Sequence, residues 1–175
     1  MRAKTESAEV LYATDRIVTV DRAAVEELKR AASRNPRGRI RLCAHPDVDD
    51  RLHEMLIVHN RQAYVRPHKH LGKSESFHVI EGDVDVVIFD DDGAVADVIP
   101  MGAYGSGRAF FYRIATPIYH TLLIRSDVLV FHEATNGPFD RADTMFAPWA
   151  PEDSHPQEVQ VFLTRVNQVV ARHLK

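Results

Sequence analysis

The chain has 175 residues, 45% of them hydrophobic and 27% charged, with 22 Lys+Arg against 25 Asp+Glu. That balance fits one globular domain able to bury roughly 70% of its unfolded surface, and it excludes disordered and fibrous classes. A formal net charge of -3 offers no field for a polyanion, so nucleic acid is not an expected partner. Cys43 is the single cysteine and has no mate for an intrachain disulfide. No apolar run approaches the roughly 20 residues needed to span a bilayer, and the start MRAKTESAEV lacks the apolar region of a secretory signal, so a cytoplasmic protein is expected.

In chain order, the first dozen residues show no period and are expected to be loose or lightly docked. Residues 21–32 place Ala24, Val25, Leu28, Ala31 and Ala32 at helical spacing, with Asp21 as N-cap and Glu26 four residues before Arg30. Asn35, Pro36 and Gly38 close this helix. Short apolar runs between turn residues then predict strands over 39–43, 54–58, 63–70, 75–80, 84–89, 94–99, 109–114, 119–124 and 128–133. Nine such strands without a long helix between them imply an all-β barrel or jelly roll, which leaves few unpaired edges. A strap rich in proline and aromatics, MFAPWAPED, leads to a last helix. Ser154 and Gln157 form its expected capping box, and Val159, Phe162, Leu163, Val166, Val169 and Val170 line one face. The division is an arm and helix over 1–38, a barrel over 39–135, and a strap and helix over 136–175 packed on it, one domain in all.

The chemistry concentrates in RPHKHLGKSESFHVIEG, residues 66–82. On a strand, residues two apart share a face, so His68 and His70 point the same way. Glu75 shares its face with Phe77 and Val79, and His120 shares its face with Leu122 and Ile124; apolar companions of this kind belong inside. Three neutral imidazoles and one carboxylate on inward faces form a rigid nitrogen and oxygen site for a divalent transition metal, with Zn, Fe, Mn, Ni and Cu all compatible. The site's charge of about -1 becomes about +1 with the ion bound, able to polarise a substrate oxygen. His78 alternates away from Glu75 and is expected outside.

The spacing His68, His70, Glu75, Gly82 resembles the first motif of the cupin superfamily, with His120 in the place of the second-motif histidine. Nearly the whole chain is similar to the WbuC-type cupin fold metalloproteins of O-antigen and polysaccharide biosynthesis. RLCAH, LHEMLI, YVRPHKH, KSESFHVIEG, FDDDG, YHTLL, FHEATNGPF and FAPWAPED carry that resemblance. It implies the cupin double-stranded β-helix, metal ligation by His68, His70, Glu75 and His120, and a homodimer. The chain departs from the general motifs at Gln62 and Pro117, where glycines are usual, and at Ile124, where asparagine is usual; these positions govern turns rather than ligation.

Beyond the ligands, Arg66 has the parity of His68 and either binds an anionic substrate group or forms a surface ion pair. Arg41 and His45 either build a substrate-side wall or serve structure. Tyr64, Tyr112 and Tyr119 read as packing residues. Trp149 reads as a plug at the barrel's bottom, with a cap over the pocket mouth as the alternative, and apolar neighbours on both faces leave open which of His132 and Glu133 faces inward. The resulting expectation is a cupin metalloprotein acting on a small oxygen-rich substrate, as an isomerase or epimerase or as a dioxygenase, with Glu75 as base where its bond to the metal is weak. The alternatives are a non-catalytic metal- or ligand-binding module and a metal-free isomerase using His and Tyr.

Overall fold

A computed structural model describes residues 2–174. The chain opens with two short strands, β1 (Ala3–Thr5) and β2 (Val10–Ala13), followed by helix α1 (Arg22–Arg34) and β3 (Arg39–Cys43). Eight strands follow: β4 (Leu52–Asn60), β5 (His68–His70), β6 (Glu75–Glu81), β7 (Asp83–Phe89), β8 (Val95–Gly102), β9 (Phe111–Ile114), β10 (Tyr119–Ile124) and β11 (Val128–Asn136). A short strand β12 (Thr144–Phe146) and helix α2 (Pro156–His173) complete it.

The eight central strands form two sheets in the orders β4-β11-β6-β9 and β5-β10-β7-β8. This exchange of strands between facing sheets is the jelly-roll order of the cupin barrel, as expected. The first sheet extends beyond β4 through β3, β2 and β1, and β12 adds to the second beside β5. β2 and β3 pair in parallel, because α1 makes the crossover between them. The first residues are therefore laddered into the sheet, against the expectation of a loose arm; strands this short carry too few residues to show a period.

Alternation along each strand sorts side chains into three cores. Phe77, Val79, Val84, Val86, Leu122, Ile124, Leu129 and Phe131 meet between the sheets. Leu42, Leu56, Val58 and Val130 face the other way and receive Leu28 and Ala32 of α1. Val87, Phe89, Tyr119 and Leu123 form the outer face of the second sheet, covered by Phe162, Val166 and Val170 of α2. Each sheet thus has a helix on its outer side. Burial of a side chain such as Leu28 contributes about 1.5–3 kcal/mol.

The Asp21 cap forms, its side chain accepting from Ala24 N at 2.9 Å. Glu26 pairs with Lys29 at 2.9 Å rather than with Arg30, because Lys29 also reaches Glu81 of the sheet at 2.6 Å and is held there. The expected capping box of α2 does not form. His155 is the cap residue, with no side-chain bond, and Pro156 fills the first turn, where a missing N–H leaves one donor fewer to satisfy. The expected strand over 63–70 shrinks to His68–His70, since Pro67 has no donor to offer a ladder. Trp149 lies outside the barrel rather than at its mouth or bottom. It packs on Phe89, Tyr119 and Phe162, and its Nε1 donates to Asp91 O at 3.1 Å.

Candidate metal centre

Two strands of the second sheet and one of the first bring the ligand set together. β5 pairs with β10 at His68 opposite His120, and β6 places Glu75 on its inward face with Phe77 and Val79. One nitrogen or carboxylate oxygen from each of His68, His70, Glu75 and His120 lies within 4.8 Å of all the others. His70 Nε2 stands 3.1 Å from Glu75 Oε2, and His120 Nε2 stands 3.7 Å from the same oxygen.

The tautomers suit metal binding. His68 Nδ1 lies 2.8 Å from Arg66 O and His120 Nδ1 lies 3.0 Å from Ile118 O. A carbonyl only accepts, so each Nδ1 carries the proton and each Nε2 keeps a lone pair aimed inward. Thr144 Oγ1 sits 3.4 Å from His70 Nδ1 and orients the third ring. Glu75 is held from behind by Tyr112, whose hydroxyl donates to Oε1 at 2.5 Å. This donor set, rigid, buried and with its hydrogens directed outward, fits a divalent transition metal.

Electrostatics agree. Burial pushes the pKa of His68 down to about 4, helped by the neighbouring imidazoles, so the ring is neutral near pH 7. Burial would raise Glu75, but hydrogen bonds from His120 and His70, with Tyr112, hold its carboxyl well below the usual range. Burial would lower His120, but Glu75 raises it instead. Glu133 is pushed up to about 8, first by burial and then by the charge of Glu75, against the pull of Arg41.

The cluster opens into a cavity of about 1000 Å³. All three residues expected on the substrate side line it: Arg41, His45 and Arg66. The Arg66 side chain pairs with Glu152 at 3.4 Å and stacks over Phe146 at 5.0 Å. His45 stacks on His53 with ring centres 4.1 Å apart, its Nδ1 accepting from Glu54 N at 3.2 Å. Glu133 lines the cavity, whereas His132 turns outward toward Glu54, 3.9 Å away. His78 is exposed on the outer face.

Sequence reasoning passed over Tyr112 and left Glu133 open. The signal for Glu133 was its parity with Leu129 and Phe131, both of which are interior. Apolar neighbours on both faces hid it, because Val130 is just as buried against α1.

Residues 20–101 match a family described as Domain of unknown function (DUF6016). No curated protein matches the chain. Among solved structures, the chain is similar to oxalate decarboxylase from Bacillus subtilis, with 17% identity, a TM-score of 0.45, and coverage of 57% of this chain and 24% of that one. It is similar to the capsular polysaccharide assembling protein CapF from Staphylococcus aureus, with 21% identity, a TM-score of 0.46, and coverage of 56% and 27%. A protein from Shewanella oneidensis, SO0799, has 8% identity, a TM-score of 0.47, and coverage of 59% and 66%. The chain thus spans about a quarter of the length of the first two. The strand order itself identifies the fold.

Proposed function

We propose that this cupin is a metalloprotein that holds a divalent transition metal through His68, His70, Glu75 and His120 and acts on a small, oxygen-rich, sugar-like molecule. The observation that carries this reading is the convergence of the four donor atoms within 4.8 Å, with the outer nitrogens of two imidazoles engaged by carbonyls. The motif spacing and the longer resemblance to WbuC-type proteins support a place in O-antigen or polysaccharide biosynthesis. A bound divalent ion supplies a positive centre that polarises substrate oxygens.

The chain's own residues do the rest. Tyr112 fixes one oxygen of Glu75, leaving the other toward the cavity for ligation, or for a proton when the metal bond is weak. Phe77, Leu122 and Phe131 floor the cavity and keep bulk water from that side. Arg41, His45 and Arg66 form the substrate-side wall.

Elemental analysis of the purified protein tests the reading. About one equivalent of transition metal per chain is expected, lost in His70→Ala while the circular dichroism spectrum is retained. Metal content equally low in both proteins after reconstitution would overturn it.

A further inference from the structure

Resting on the metal reading above, the next question is what the cavity would bind beside the ion. Most cations around it are already matched by protein groups. Arg39 bonds Glu9 at 2.8 Å, Arg37 pairs with Asp153, Arg66 with Glu152, and Lys73 with Asp143 at 3.0 Å. The Arg41 guanidinium differs: among the described residues no hydrogen bond or ion pair reaches it, although it lines the cavity. The Glu133 carboxyl is likewise without a hydrogen bond or ion pair among the described residues and lines the same space.

Register places the two groups relative to each other and to the metal ligands. Glu75 lies opposite Thr135 in the β6–β11 ladder, so Glu133 is its inward diagonal neighbour. Arg41 is in register with Ile57, and Ile57 with Phe131, which sets Arg41 two strands from β11 and one inward step from Glu133. The first sheet therefore presents Glu75, Glu133 and Arg41 in sequence across the cavity wall. Opposite charges left apart in a shared space demand a third party, because an enclosed carboxyl without a partner is costly.

We infer that Arg41 and Glu133 form a subsite for an anionic polyhydroxy compound, a hydroxy acid or a sugar phosphate. The anionic group meets the Arg41 fork, and a hydroxyl meets Glu133, while further oxygens face the metal ligands. A guanidinium suits both carboxylate and phosphate through paired N–H donors, and a carboxyl group suits a hydroxyl as donor or acceptor.

Calorimetric titration of the metal-free protein tests this separately from metal binding. The probes are tartrate, succinate, glycerol 3-phosphate and neutral erythritol. Tartrate or glycerol 3-phosphate is expected to bind, the better of the two identifying the anion, and erythritol is not. Arg41→Gln should weaken that binding about tenfold or more, with Arg41→Lys restoring part of it, and leave metal stoichiometry unchanged. Glu133→Leu should erase most of the preference for tartrate over succinate, which lacks the hydroxyls. No binding of either anion, or binding indifferent to Arg41→Gln, overturns the subsite while leaving the metal reading in place. An unchanged tartrate preference in Glu133→Leu removes Glu133 from it. Loss of metal in the variants with anion binding intact would overturn the assignment to this subsite as well.

Discussion

At Glu75, three side chains converge on one carboxylate: His70 and His120 address one oxygen, and Tyr112 addresses the other. Tyr112→Phe keeps the ring stacked on Phe77, with centres 5.1 Å apart, but frees the carboxylate to rotate. Metal affinity should fall about 10- to 100-fold with little change in unfolding midpoint of the stripped protein, as competition with a chromogenic chelator would report. His59 gives a second prediction. Burial pushes its pKa down to about 3 against an ordinary value of 6.5, and its Nδ1 has no partner. The unfolded chain therefore binds this proton more readily than the folded one, so the neutral ring's contribution is complete above about pH 6.5 and is lost as pH falls toward 3. His59→Leu should flatten the loss of stability across that window, measured as urea midpoint against pH; an acid limb as steep as the parent's would show that His59 is not responsible.

At the scale of elements, α1 is held by a cap and by a narrow apolar stripe. Asp21→Ala should cost about 1 kcal/mol, and Leu28→Ala, which empties a position 3% exposed, about 2–5 kcal/mol, both read from urea unfolding. Strands with strict alternation were legible: Arg39–Cys43 and Tyr119–Ile124 have the expected bounds, and the four ligand positions came from parity alone. What escaped has physical causes. β1 and β2 are too short to show a period, β5 is interrupted by Pro67, and the start of α2 is set by Pro156 rather than by a side-chain cap. Tyr112 was hidden for another reason: its role depends on β9 lying beside β6, with Tyr112 opposite Phe77, a pairing that no local pattern encodes.

At the scale of the molecule, helices flank both sheets and the ligands come from both, so a bound ion would tie one half of the barrel to the other. On the metal reading, an ion present at 100 times its dissociation constant adds about 2.7 kcal/mol to the folded state. For a domain of this size that is about 5–11 °C in Tm, so removing the ion with a chelator should lower the calorimetric midpoint by that amount and re-addition should restore it. Equal midpoints with and without chelator would contradict this. Affinity should also weaken as pH falls, because each imidazole must shed its proton to ligate.

The late strand β12 has a consequence of its own. Thr144 and Phe146 ladder directly onto His70 and His68, while on the other side β5 meets β10 only at His68. Two of the ion's anchors are thus steadied by a segment arriving nearly eighty residues later, itself moored by the helix that ends the chain. Tension or slack introduced near the carboxyl terminus, by a fused tag or a clipped tail, would travel along that brace and detune coordination without touching a single ligand.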